Sequence, residues 1–205
     1  MKVAVIGKGN VGKALGPALA KAGHDVAYGV RDPDDAKYQD GDGVPLKHLG
    51  AAVAGAEVVI LAVGWGQVDQ VLEGCGPVSG KVLVDCTNPY DVADDLRALV
   101  QPHQSAAELI QAKTSAKVVK ALNQVGAPVM AKARDYKAPP VQFAASDDRA
   151  AKETVLQLLR DIGFDARDAG PLARARELEG MARLWIAQAF DHGMSTEAAW
   201  ALSDG

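Results

Sequence analysis

Apolar residues along this chain fall into two alternating rhythms. Val3 to Ile6 is an unbroken apolar run, as a strand buried on both faces requires. Runs over Glu57–Val63, Lys81–Asp85, Lys117–Leu122 and Val141–Ala145 repeat it, and Asp25–Val30 and Asp165–Asp168 read as further strands. Between these runs the period lengthens. Val11, Leu15, Ala18, Leu19 and Ala22 lie on one stripe of a helix over about Val11–Ala22, with Gly23 as its stop. Helices are also expected at Leu46–Ala54, Gln67–Glu73, Ser105–Ala112 and Pro128–Lys132. Arg149–Ile162 reads as a helix capped by Asp147, with Val155, Leu158, Leu159 and Ile162 turned inward. Asp34–Pro45, dense in Asp and Gly, reads as a polar loop, and Gly170-Pro171 opens a helical tail reaching Trp200. Alternating strands and helices predict an α/β protein with a doubly wound, mostly parallel sheet of the Rossmann type, its ligand along the carboxyl edge. Residues 1–170 form the expected nucleotide-binding domain, and 171–205 a short tail packed on it rather than an independent substrate domain.

The most informative stretch joins the first strand to the first helix. Gly7, Gly9 and Gly12 stand there at the spacing G-x-G-x-x-G, in the strand–turn–helix context that gives this pattern its meaning. Gly7 allows the sharp turn, Gly9 removes a side chain where a pyrophosphate approaches the backbone, and Gly12 lets the helix pack close to the strand. A phosphate then meets the unpaired N–H groups and the positive end of the helix. Beyond the second strand the chain offers both Arg31 and Asp32, so spacing alone leaves the choice of dinucleotide open. Gly29 and Val30, at the strand end, are uncharged, and Arg31 is the first polar side chain able to reach an adenosine ribose. A guanidinium binds a 2′-phosphate bidentately, which favours NADP(H); the alternative is a solvated Arg31 paired with Asp32 or Asp34. Lys8 either adds positive charge near the phosphates or points into water. Trp65 either lines the cofactor site or caps the core, and Asn88 is a better site candidate than Asp85, Lys120 or Asn123.

Composition narrows the function classes. The chain has 205 residues with 22 basic against 26 acidic side chains, a net charge of −4 that argues against nucleic acid as a partner. Cys75 and Cys86 form no CxxC motif and read as inert thiols of a reduced compartment. The chain opens on its first strand, and no apolar run approaches the roughly 18 residues of a membrane span, so a cytoplasmic protein is expected. His24, His48, His103 and His192 lack metal-ligand spacing, so no metal is expected. Ser79 and Ser146 have no His at a suggestive spacing, which argues against a nucleophilic hydrolase.

With these residues in view, the chain resembles the NADPH-dependent reductases of coenzyme F-420, a deazaflavin. The likeness rests on Ala4 to Gly12, Gly29-Val30-Arg31-Asp32-Pro33, Leu61-Ala62-Val63 with Trp65, Val84 to Pro89 and Val118 to Asn123. It continues through Asp168 to Leu172, Leu178-Glu179 and Leu184-Trp185-Ile186. The cytosolic domain of the six-transmembrane metalloreductases looks similar. The resemblance implies an enzyme that passes hydride between NADPH and a planar redox coenzyme, with no catalytic acid–base residue. It implies that Gly7, Lys8, Gly9, Asn10, Val11 and Gly12 hold the pyrophosphate and Arg31 the 2′-phosphate. Val63, Gly64 and Trp65 would lie over the riboses, and Thr87, Asn88 and Pro89 would border the nicotinamide. A flavin, a quinone or a ferric complex are alternative acceptors, and a non-catalytic NADP sensor is the rival reading from another class. Trp185 and Trp200, expected on one tail helix with Phe190, pack on the sheet or across a homodimer.

Overall fold

A computed structural model describes residues 1–203, so Asp204 and Gly205 of the expected tail lie outside the described residues. The first crossover unit is β1 (Lys2–Ile6), α1 (Asn10–Lys21) and β2 (Asp25–Val30). β3 (Leu46–His48), α2 (Leu49–Ala54), β4 (Val58–Leu61), α3 (Val68–Cys75) and β5 (Val82–Asp85) follow. A small hairpin of β6 (Tyr90–Asp91) and β7 (Arg97–Ala98) precedes α4 (Ala106–Lys113), β8 (Lys117–Lys120) and α5 (Ala127–Lys132). The chain closes with β9 (Val141–Ala145), α6 (Arg149–Asp161), β10 (Asp165–Gly170) and α7 (Ala175–Phe190).

Eight strands form one sheet in the order β10-β9-β8-β5-β4-β1-β2-β3. Every pairing is parallel except the single bridge between β8 and β9, so the expected doubly wound sheet is present. Strand order runs outward from β1 in both directions. The space between the carboxyl ends of β1 and β4 is therefore the switch point at which such sheets hold their ligands.

Alternation along the buried strands divides the core into two layers. Val3 and Val5 join Leu15 and Leu19 of α1 and Leu158 of α6 on one face, while Ala4 and Ile6 join Val53 of α2 and Val71 of α3 on the other. Leu15 and Leu19 are fully buried, each worth about 1.5–3 kcal/mol of transfer free energy, which fixes α1 and its amino terminus against β1. No helix of the described residues is long and apolar enough to cross a membrane.

Several expected elements differ in kind or extent. Leu46–Ala54 is not one helix: Leu46, Lys47 and His48 extend as an edge strand beside Tyr28, Gly29 and Val30, and only Leu49–Ala54 is helical. Three residues with a half-exposed apolar side chain are too few to show a period. Asp148, not Asp147, caps α6 by accepting from the Ala151 N–H at 2.8 Å, while Asp147 accepts from Leu172 N–H at 2.9 Å. The tail helix stops at Phe190, and Gly193 (φ +71°) turns the chain back, so Trp200 is not on it. Instead the Trp200 carbonyl accepts from Val141 N–H at 2.8 Å on the edge of β9.

Candidate active site

Local backbone chemistry at the end of β1 builds the first part of the site. Gly7 has φ +99°, and a Cβ there would stand 2.7 Å from Ala62 O and Val63 Cγ1, so only glycine fits this close pass beneath the end of β4. Gly12 is tighter still, with a Cβ placed 2.1 Å from Gly7 O. Gly9 differs from both: no atom lies within 4 Å of its added Cβ. The space before its backbone is open. Gly9 caps α1 in extended geometry with no side-chain hydrogen bond, and the first turn holds no acidic residue. The first turn of this 12-residue helix thus brings no carboxylate of its own to the space before its N–H groups.

That space is the head of a cleft of about 780 Å³. The turn from Gly7 to Val11 forms its floor, Gly29 to Arg31 one end, Ala62 to Trp65 a wall and Cys86 to Asn88 the far end, closed over by Val92 and Ile186. The structure brings Gly7, Lys8, Gly9, Asn10, Val11, Arg31, Val63, Gly64, Trp65, Thr87 and Asn88 to this one cleft. Gly12 and Pro89 do not line it. Gly12 lies beneath the turn against Gly7, its packing role, and Pro89 leads the chain away toward β6, its carbonyl accepting from Leu99 N–H at 2.8 Å.

The two basic residues behave differently. Arg31 is exposed at the rim, and its guanidinium has no ion pair among the described residues, whereas Asp32 accepts from Asp34 N–H at 3.1 Å. Lys8 points neither at the cradle nor into water. Its ammonium donates to Tyr38 O at 2.8 Å and Asp40 at 2.6 Å, lies 3.2 Å from Asp42, and sits 4.8 Å from the Tyr28 ring centroid. The first consequence is a loop fastened to the floor of the cleft. The second is electrostatic: hydrogen bonds from Lys8 and Lys13 hold Asp40 down to about 2. Burial, with Asp42 beside it, pushes the Tyr28 hydroxyl well up, so it stays a phenol.

At the far end, a buried polar network fixes Thr87 and Asn88. Asp85 and Lys120 end the adjacent strands β5 and β8 at the same register. Lys120 Nζ donates to Asp85 Oδ2 at 2.9 Å, to Thr87 O at 2.5 Å and to Glu179 Oε1 of α7 at 2.9 Å, and all three side chains are at most 3% exposed. Asp85 Oδ1 accepts both the Thr87 N–H at 2.8 Å and its hydroxyl at 2.7 Å. Asn88 and Asn123 exchange hydrogen bonds of 3.2 and 3.1 Å, and Asn123 also donates to Leu178 O at 3.0 Å. Burial opposes the Lys120 charge, but the two carboxylates outweigh it and hold its pKa above the ordinary lysine value. Burial pushes the Glu179 carboxyl up, against the pull of Lys120.

By sequence alone Asp85 and Lys120 rank behind Asn88, and Glu179 has no role beyond a family motif. A signal was present. Two opposite charges close two buried apolar runs, and a buried charge demands a partner. Leu122, at φ +61° and fully buried, departs from the expected strand over Lys117–Leu122 and turns the chain so that Asn123 reaches Asn88.

Comparison with known proteins adds to this geometry. A family model described as NADP oxidoreductase, coenzyme F-420-dependent, matches residues 2–89. A candidate F-420-dependent NADP reductase from Arthrobacter sp. FB24 is similar over 100% of both chains, with 31% identity and a TM-score of 0.88. A hypothetical protein from Sinorhizobium meliloti is 28% identical with a TM-score of 0.74, over 84% of this chain and 86% of that one. The metalloreductase STEAP3 of Rattus norvegicus is 30% identical over 182 residues, which is 88% of this chain and 36% of the rat protein. The chain thus spans about a third of the length of the curated relatives it matches.

Proposed function

Because the chain belongs to the coenzyme F-420-dependent NADP oxidoreductases, we propose that it binds NADPH along the carboxyl edge of its sheet and passes hydride to a planar redox coenzyme, a deazaflavin such as F-420. The observation that carries this reading is the contrast among the three glycines: the space a side chain would need at Gly7 and Gly12 is taken by neighbouring atoms, while Gly9 opens onto the cleft at the start of a helix whose first turn carries no acid. That is a cradle for a pyrophosphate. Arg31, exposed and unpaired among the described residues, supports recognition of the 2′-phosphate at the rim.

NADPH, when bound, supplies the hydride. The chain positions and shields. Trp65, Val92 and Ile186 offer apolar surface for a flat ring and exclude water from the transfer. Thr87 donates its only hydroxyl hydrogen to Asp85, so its oxygen can only accept from a ligand, suited to the N–H groups of a carboxamide. Asn88 is locked at both ends of its amide by Asn123 and keeps one N–H and one lone pair to orient a ligand. Transfer between stacked rings needs no protein base. The thiol in the cleft, Cys86, is pushed far up by burial and remains protonated.

The likeness to a metalloreductase favours a second acceptor class, a flavin or a ferric complex, on the same NADPH platform. Anaerobic NADPH oxidation against F-420, flavins and ferric chelates tests both. Turnover with F-420 supports the leading reading. Turnover with flavin or ferric chelate alone supports the second. Binding of NADPH with no turnover in either direction leaves the sensor and refutes the enzyme. Leu184 and Phe190, at 52% and 67% exposure on α7, support the further proposal of a homodimer through that helix.

A further inference from the structure

We propose that Glu179 is a positioning residue for hydride transfer: it sets an uncompensated negative charge behind Thr87 and Asn88, and so favours an oxidised, positively charged nicotinamide over a reduced one. The proposal rests on the NADP(H) reading above. Its basis is a charge count within one buried cluster. Asp85 and Lys120 face each other at 2.9 Å on neighbouring strands and cancel. Glu179 arrives from α7 as a second carboxylate on the same ammonium, also at 2.9 Å, and is 2% exposed.

Among the described residues no second cation pairs with it. On its own helix, Arg183 lies over the Tyr90 ring, 6.0 Å from its centroid. From α4, the only direct partner is the Ala106 N–H at 3.0 Å, because Glu108 is occupied by Arg176 and Ser105. β5 contributes Asp85, β8 contributes Lys120, and β6 contributes the neutral Tyr90. A clasp that only fastened α7 to the sheet would need one carboxylate per ammonium, since each further buried charge costs desolvation. The surplus sits behind the residues that end the cleft. Asp85 holds both the N–H and the hydroxyl of Thr87 and Lys120 holds its carbonyl, so Glu179 is one ammonium removed from the cleft lining.

In low dielectric such a charge acts over several ångströms, and it discriminates between two ligands that differ by one positive charge on the ring. NADP⁺ is preferred while Glu179 is ionised. Burial raises its pKa, so acid neutralises it before ordinary glutamates and the preference fades. By linkage, the ratio of NADP⁺ to NADPH affinity rises with pH. The 2′-phosphate, which both forms carry, cancels in that ratio.

Calorimetric titration of the full chain with NADP⁺ and with NADPH, from about pH 5 to about pH 8, tests this in wild type, Glu179→Gln and Glu179→Asp. The wild-type ratio of affinities is expected to climb with pH. Glu179→Gln, which keeps the shape and removes the charge, is expected to give a flat ratio with the NADP⁺ preference about fivefold lower at the alkaline end. Glu179→Asp restores part of the slope. A flat wild-type ratio, or the same slope in Glu179→Gln, overturns the proposal with the cofactor reading intact. Absence of binding by either cofactor overturns both.

Discussion

The three glycines of the first turn make opposite demands, and substitution separates them. Gly12→Ala places a methyl group 2.1 Å from the Gly7 carbonyl oxygen, where an ordinary contact needs more than 3 Å. The obstacle is backbone, so about 1 Å of relief must come from moving α1 away from β1. α1 is held by fully buried Leu15 and Leu19 and packs on α5, so the shift loosens two layers at once. Overpacking of this kind costs typically 1–3 kcal/mol, and the backbone obstacle puts Gly12→Ala at the upper end, about 3 kcal/mol. For a chain of this length that lowers Tm by about 6–12 °C. Gly9→Val supplies the contrast. Its Cβ meets nothing within 4 Å and its φ of −82° suits any residue, so the stability cost stays within about 1 kcal/mol of helix capping. The side chain projects into the cleft at the cradle, and NADPH affinity is expected to fall at least about a hundredfold, the loss of roughly 3 kcal/mol. Thermal melts by circular dichroism and NADPH titration on both variants read the two effects. An unshifted melt for Gly12→Ala, or intact NADPH binding in Gly9→Val, refutes the division of labour.

Lys120→Met leaves two buried carboxylates facing each other and is expected to cost about 3–5 kcal/mol, read as a lower Tm, with part recovered when Asp85→Asn is added. Asp40 is held down to about 2, so its stabilisation of the 38–42 loop is present above the ordinary carboxylate pKa and lost as pH falls through about 2. Amide protection over Ala36 to Val44, taken relative to the intrinsic exchange rate at each pH, should therefore hold at about pH 5 and fall in strong acid; protection unchanged across that range would show that Lys8 does not fasten the loop. Light scattering should report a dimer that Phe190→Glu dissociates, and an unaltered mass in the variant would remove α7 from the interface.

The parts of the fold that were legible in the sequence are those with long or repeated signals. Val3–Ile6 followed by the glycines announced the first crossover, and the alternation of buried runs with helical stripes announced the doubly wound sheet. The lost parts are short or non-local. β3 is three residues whose pattern no period can establish, and the β6–β7 hairpin turns on Asp95 and Leu96 at φ +44° and +54°, residues that do not advertise positive φ. Asp147 and Asp148 compete for one cap, and only Leu172, packed in from far along the chain, decides which is free. At the site, the spacing of Gly7 to Arg31 led directly to the cleft because those residues lie on one crossover. Lys8 was ambiguous because its partners, Tyr38, Asp40 and Asp42, are brought back by a loop about 30 residues later. Glu179 was hidden for a similar reason, since a charge on a tail helix gives no sign that it faces a lysine at the end of β8.

The most direct measurement is a paired titration of NADPH and NADH into wild type and Arg31→Ala. One NADPH per chain should bind the wild type more tightly than NADH, and Arg31→Ala should weaken NADPH about 10–100-fold, the loss of a bidentate charged contact, while NADH stays within about twofold. Equal losses for both cofactors, or a wild type that binds neither, would contradict the reading of this cleft as an NADP site.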